Sequence, residues 1–214
     1  YEINSKLPRK LGKLCTEIDA MLVHISTDYV FDGKSTKPYT EEDNVGPIGV
    51  YGKSKLDGEE NIRKFCKRHI ILRTAWVFGN NGKNFVKTMI NLGSKQDEVS
   101  VVEDQIGSPT SAISISKVIS KIIFKMHNAS LRDKRWGTYH FCGFPYVSWA
   151  DFASEIFEQA NSKGLIKRSV NINRINSSDL SSKAKRPQNS KLECKKIELN
   201  FGLACDNWKK SLDI

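Results

Sequence analysis

Two short, largely apolar runs set the architecture open to this chain. They are Ala20-Met21-Leu22-Val23-His24-Ile25 and His69-Ile70-Ile71-Leu72, the second running on to Phe78. Neither alternates apolar with polar residues, so neither suits a sheet with one wet face. Each reads as a strand buried on both sides, as in a parallel sheet covered by helices. Helical patterns precede and separate them. Ile3, Leu7, Leu11, Leu14, Cys15 and Ile18 recur at three- and four-residue steps and predict an amphipathic helix over 3–18. Pro8 is tolerated near its start. Leu56, Ile62 and Phe65 form the stripe of a second helix. Helix and buried strand in alternation predict an α/β fold with a parallel sheet. Further on, the spacing predicts helices over 82–95, 111–127 and 148–162, the last capped by Ser148 with Asp151. Strands are expected over 98–103, 137–143 and 170–175, and two short helices near Trp208 and Leu212 close the chain.

In open α/β sheets the ligand crevice lies beyond the carboxyl ends of the strands. The first run ends in Ser26-Thr27-Asp28-Tyr29-Val30-Phe31-Asp32-Gly33 and the second in Trp76-Val77-Phe78-Gly79, which places hydroxyls, a carboxylate and an indole there. Between them, a polar Gly/Pro loop leads into Tyr51-Gly52-Lys53-Ser54-Lys55. Positions i and i+4 share a helix face, so the Tyr51 phenol and the Lys55 ammonium point at one ligand. A free tyrosine titrates near ~10, and lowering that by ~3 units takes only about 4 kcal/mol from a nearby cation. Tyr51 is therefore the candidate acid and Lys55 the group expected to lower its pKa. The pair alone also occurs on ordinary helices, so its neighbours carry the assignment. Gly46-x-x-Gly49-x-x-Gly52 is a decoy: a long polar loop precedes it instead of a strand, and Pro47 has no amide to offer a pyrophosphate.

Bulk properties narrow the classes. A net charge of +10 suggests nucleic acid, but the lysines are dispersed on polar helix faces. The tightest basic cluster, Lys183 to Lys196, has no interleaved aromatics and matches no common nucleic-acid motif. No nucleic-acid partner is expected. No apolar run reaches eighteen residues, so no membrane span is expected either. Five unclustered cysteines argue for reduced thiols in the cytoplasm, and four histidines in unrelated segments give a metal centre no support.

Five ordered segments together resemble one family. They are Ser26 to Gly33, Tyr51 to Lys55, Leu72-Arg73-Thr74-Ala75-Trp76-Val77-Phe78-Gly79, Asp104-Gln105-x-Gly107-x-Pro109-Thr110 and Arg186-Pro187-x-Asn189-Ser190-x-Leu192. They are similar to the dTDP-4-dehydrorhamnose reductase family of extended short-chain dehydrogenase/reductases. The resemblance implies a Rossmann-like doubly wound parallel sheet, formed by 1–79 with 111–142, and a smaller α/β substrate-binding domain, formed by 80–110 with 143–214. It implies NADPH- or NADH-dependent reduction of the C4 keto group of dTDP-4-dehydro-L-rhamnose to dTDP-L-rhamnose. Tyr51 would protonate the sugar oxygen, Lys55 would bind the nicotinamide ribose, and Thr27 would hydrogen-bond the same oxygen. Ile25 would lie beside that ribose, Asp28 and Trp76 would contact the sugar, and Arg186 would meet the diphosphate. A divalent cation and a homodimer are left open by the resemblance. The family's glycine-rich cofactor loop follows a first strand that this sequence does not contain. The chain is thus expected to be an N-terminally truncated form, weak in NAD(P)H binding by itself and with apolar sheet surface exposed. The alternative is a non-catalytic subunit resembling the β subunit of methionine adenosyltransferase; an epimerase or dehydratase relative fits Trp76 and the Arg186 segment less well.

Overall fold

The structure, a computed structural model, describes residues 1–179 and 185–212; Lys183, with which the basic cluster opens, lies outside the described residues. A single π-helical turn over Glu2–Lys6 runs into α1 (Leu7–Glu17). Then follow β1 (Leu22–Thr27), α2 (Val50–Phe65), β2 (His69–Thr74), β3 (Val77–Phe78), α3 (Phe85–Gly93) and β4 (Glu98–Val102). Next come β5 (Ile106–Gly107), β6 (Thr110–Ser111), α4 (Ala112–Met126), β7 (Gly137–His140), β8 (Val147–Ser148), α5 (Trp149–Ser162), β9 (Asn171–Ile175) and α6 (Lys195–Phe201).

The α/β class with a parallel sheet is what the two apolar runs predict, and it is what forms. Strands β1, β2 and β7 make a parallel sheet in that order, with Leu22 opposite His69 and Ile70 opposite Gly137. β4 pairs with β9 in a second, parallel pair. Ser148 and Asp151 close the predicted capping box at the start of α5. One apolar core gathers Phe31, Ile70, Leu72, Ile122 and Tyr139 against the sheet. A second gathers Val86, Met89, Ala153, Ile156 and Trp208 around α3 and α5. Trp76 packs against both. Leu192, Ile197 and Phe201 join the sheet core.

Two expectations are corrected. β2 is buried along its whole length, but β1 is not buried on both faces: it is the sheet's outer strand among the described residues, and Ile25 is 45% exposed. An apolar run reports the preference of a strand, and the neighbours decide whether it is covered. Likewise, the apolar stripe of α1 does not enter a core. Ile3, Leu7, Leu11, Leu14 and Ile18 are exposed, and the buried residues of α1 are Pro8 and Gly12. The helix meets α2 through its small residues. A Cβ on Gly12 would stand 3.4 Å from the Phe65 Cβ, and one on Gly58 would stand 2.1 Å from the Asn4 carbonyl oxygen. Periodicity identified the face but not what it meets.

Lysines of the basic segment tie down the loop after β1. Lys191 Nζ donates to the Thr36 carbonyl at 2.8 Å, and Lys196 pairs with Glu42 at 3.3 Å. Among the described residues, no helix is long and apolar enough to cross a membrane.

Candidate active site

The carboxyl end of β1 carries the polar groups. Thr27 Oγ1 accepts from the Tyr29 amide at 3.2 Å, capping the single 3-10 turn Asp28–Val30. It also donates to Asp28 Oδ1 at 3.0 Å. Asp28 is 4% exposed, and its Oδ2 has no hydrogen-bond partner. Burial therefore pushes the Asp28 carboxyl up to about 6, against hydrogen bonds from Ser190 and Thr27.

α2 is held hard against this turn. A Cβ on Gly52 would stand 2.1 Å from the Tyr29 carbonyl oxygen, so only glycine lets the helix come this close. That is the structural reason for the third glycine of the Gly46-x-x-Gly49-x-x-Gly52 string. The approach sets Tyr51 beside Thr27 and Tyr29, with the Tyr29 and Tyr51 rings edge-to-face at 5.8 Å. Tyr51 is 52% exposed, as an acid that must reach a ligand has to be.

Lys55, one turn on, points the same way along the helix but is engaged elsewhere. Its Nζ donates to the Ile25 carbonyl at 2.5 Å and lies 3.4 Å from His24 Nε2. Partial burial lowers the Lys55 pKa, and Glu59 opposes that. Burial and then the Lys55 charge bring His24 down to about 4, so His24 is neutral near pH 7. The expectation that Lys55 lowers the Tyr51 pKa is not met in this arrangement. Burial raises the phenol above its ordinary value, with Thr27 pulling the other way and the Asp28 charge adding to the rise. Tyr51 is thus protonated at neutral pH and suited to give a proton, not to take one.

Beneath Lys55, Glu59 is fully buried and accepts from Arg73 Nε at 2.9 Å and Arg73 Nη2 at 2.7 Å. Arg63 adds a third contact at 2.6 Å. This fork locks α2 to β2, and with it the Tyr51 and Lys55 positions.

A cavity of about 400 Å³ opens beside Tyr29, lined by Phe85, Met89, Ser100, Trp149 and Arg186 among others. Trp76 reaches it through Trp149, on which it stacks at 3.5 Å with the rings 9° from parallel. The Trp76 backbone takes φ +46°, and its ring lies over Gly107, where a Cβ would come within 2.4 Å. Arg186 is exposed and close enough to Tyr29 for its charge to lower the Tyr29 phenol, which burial nevertheless raises to about 12.

The structure thus brings Ile25, Thr27, Asp28, Tyr51 and Lys55 together and sets Arg186 on the adjoining cavity. Trp76 sits behind Trp149 and not directly on the cavity wall. Sequence reasoning missed Trp149, Phe85 and Met89. The one signal for Trp149 was its place directly after the capping Ser148, at the first position of α5. A larger cavity of about 490 Å³ between α5 and β9 contains none of the expected site residues.

The chain is similar to known proteins along nearly its whole length. The family model described as the RmlD substrate binding domain matches residues 1–214. A dTDP-4-dehydrorhamnose reductase of Sinorhizobium fredii is 40% identical over 99% of this chain and 70% of its own length. A crystal structure of the Clostridium acetobutylicum dTDP-4-dehydrorhamnose reductase superposes with a TM-score of 0.88 at 39% identity, over 98% of this chain and 69% of that one. The Bacillus anthracis enzyme, solved in complex with NADP, also gives a TM-score of 0.88, at 36% identity over 98% of this chain and 70% of its own.

Proposed function

The chain belongs to the RmlD substrate-binding-domain family of dTDP-4-dehydrorhamnose reductases, and from that premise we propose that it carries the acid and the sugar-nucleotide site of an NAD(P)H-dependent 4-keto reductase. The reaction is reduction of dTDP-4-dehydro-L-rhamnose to dTDP-L-rhamnose. The observation that carries the proposal is the half-exposed Tyr51 phenol. It stands beside Thr27 at the strand end, one helical turn from Lys55 Nζ on the Ile25 carbonyl, next to the cavity lined by Tyr29, Trp149 and Arg186.

Each residue then has a task set by its surroundings. Tyr51 donates its phenolic proton to the C4 oxygen as negative charge develops there, which its raised pKa favours. Thr27 steadies that oxygen from the other side. Asp28 offers a carboxylate with one open acceptor oxygen to a sugar hydroxyl, a partner that its buried Oδ2 lacks in the protein. Arg186 meets the diphosphate, since a guanidinium fork matches phosphate oxygens. Trp76 stiffens the wall by stacking on Trp149, which presents its ring to the cavity. Residues of α3, β4, α5 and β9 make the substrate-binding unit, and those of β1, β2, β7 and α2 the cofactor side.

The outer edge of β1 fits the nicotinamide end of a dinucleotide. An ammonium has three donors; one goes to the Ile25 carbonyl and one faces His24, so the third is available to ribose hydroxyls. Ile25 offers exposed apolar surface alongside. The bound cofactor supplies the hydride for C4. We assign the reaction to the cytoplasm, where the nicotinamide cofactor is kept available and where Cys15, Cys66, Cys142, Cys194 and Cys205 stay free of disulfides.

The test follows NADPH absorbance with dTDP-4-dehydro-L-rhamnose as substrate. Tyr51→Phe is expected to lose ~10²–10⁴-fold in kcat, the usual contribution of a general acid. A Tyr51→Phe enzyme that keeps full kcat would refute the assignment. Repeating the assay with NADH, and after chelation, assigns the preferred cofactor and any divalent-cation requirement. A regulatory subunit is the less favoured reading, because it would have no use for a phenol so exposed beside a neutral His24 and a free ammonium donor.

A further inference from the structure

Three of the five cysteines meet in space, although 52 and 11 residues separate them in sequence. Cys142 follows β7, Cys194 caps α6, and Cys205 lies in the segment after α6. Their Sγ atoms all lie within 4.8 Å of one another, and Cys142 Sγ to Cys194 Sγ is 3.5 Å. Cys142 is 1% exposed and Cys194 5%, while Cys205 is half-buried and gives the cluster a way in from solvent.

A zinc-class ion bound by thiolates at ~2.3 Å sets its sulfurs about 3.8 Å apart, and the observed spacing brackets that value. The chemistry of the surroundings agrees. Both buried thiols turn towards the Leu192 carbonyl, at 3.5 and 3.6 Å, and the Tyr146 hydroxyl donates to the same oxygen at 2.9 Å. Deprotonating the thiols therefore leaves that carbonyl satisfied. Ser108 is fully buried, and its Oγ has the Cys142 thiol as its one hydrogen-bonding neighbour. A thiol is a weak partner, so this buried hydroxyl stays poorly satisfied unless a ligand in the cluster uses it. A disulfide explains less: it joins two sulfurs and leaves the third thiol and the Ser108 hydroxyl unaccounted for.

We propose that Cys142, Cys194 and Cys205 form a three-thiolate site for a thiophilic divalent cation of the zinc class. Ser108 holds a water in the fourth position. Binding converts three S–H groups to metal-bound thiolates, and the protons go to solvent, so affinity rises with pH. The ion staples the end of β7 to the C-terminal segment, which also carries Ser190 to Asp28 and Asn189 to the loop after β1, through bonds to the Ser35 and Lys37 carbonyls at 2.7 and 2.8 Å. It stabilises the wall of the site from behind without touching the reacting atoms.

The test titrates reduced, chelator-treated protein with Cd²⁺ and Zn²⁺, reading thiolate-to-cadmium charge-transfer absorbance, native mass and melting temperature. The expected result is one ion per chain, a raised melting temperature and tighter binding at pH 8 than at pH 6. Cys205→Ser, at the half-buried position, is expected to weaken binding at least ~100-fold, the upper range for loss of a supporting group around a metal. Cys15→Ser is expected to bind as the parent does. The proposal is overturned if the parent takes up no stoichiometric ion, if Cys205→Ser binds equally well, or if mild oxidation of the metal-exposed protein yields a Cys142–Cys194 disulfide at the rate of the chelated protein. The parent titration decides the matter even if a cysteine variant fails to fold.

Discussion

Asp28→Asn separates stability from function at the strand end. Asp28 is buried with one unpartnered oxygen, and its carboxyl titrates at about 6 in the fold, against ~3.9 in an unfolded chain. The sign follows from that order. Below ~pH 4 both states are protonated and the group is neutral in the balance. As pH rises, the unfolded chain releases its proton first, and the folded state becomes progressively disfavoured until pH passes about 6. Two pKa units correspond to about 3 kcal/mol, reached above pH 7, with about half of it present at pH 5. Asparagine keeps the shape and removes the ionisation, but it leaves an amide donor short of a partner at a cost of about 1–3 kcal/mol. The net gain at pH 8 is therefore about 0–2 kcal/mol, or at most roughly 8 °C in melting temperature for a chain of this size. The decisive quantity is the change with pH: the advantage of the variant should shrink by about 1.4 kcal/mol between pH 8 and pH 5. Urea unfolding at the two pH values measures it, and the KM for the dTDP-sugar should rise at pH 8 as the acceptor oxygen is lost. A stability difference that is the same at both pH values would refute the reasoning, because the whole gain is assigned to an ionisation.

Glu59→Gln breaks the fork to Arg73 and leaves a guanidinium that is 2% exposed without its counter-charge; a loss of about 3–5 kcal/mol is expected by denaturant unfolding at pH 7. Burial opposes ionisation of Glu59, but the Arg73 contacts win and lower its pKa, so this stabilisation exists above the ordinary carboxylate range and is lost as pH falls through the folded value. The deficit of the variant should accordingly narrow in acid, and a constant deficit would argue that packing, not charge, is involved. Gly107→Ala drives a methyl into the Trp76 ring; a loss of about 1–3 kcal/mol, a shifted tryptophan emission and a raised KM are expected, and an unchanged emission would show that the indole is not held there. Arg186→Ala should raise the KM for the sugar nucleotide with kcat nearly unchanged, and the KM effect should fade with added salt; a loss confined to kcat would move Arg186 from binding to chemistry.

What the sequence disclosed and what it withheld divide along a physical line. Signals that act within one element were legible: the apolar centre of β2, the Ser148–Asp151 box, and the shared face of Tyr51 and Lys55 on α2. So was the position of Thr27 and Asp28, because a strand end in a parallel sheet is a predictable place. Quantities set by a neighbour were not. The Tyr51 pKa depends on where the Lys55 ammonium is spent, and it is spent on the Ile25 carbonyl, 30 residues away in sequence. The exposed stripe of α1 reads as core until the small residues Pro8 and Gly12 are seen to make the contact. The cysteine cluster is the extreme case: no spacing relates Cys142, Cys194 and Cys205, since the C-terminal segment must first return to the end of β7 before the thiols meet. The glycines bridge the two kinds of information. Gly52 is read in the sequence as part of a decoy and Gly107 as part of a family segment, yet each marks a place where a second element comes too close for a methyl group: the Tyr29 carbonyl in one case and the Trp76 ring in the other. A glycine inside a good helix or strand pattern is thus a pointer to a long-range contact, and in this chain both pointers lead to the same site.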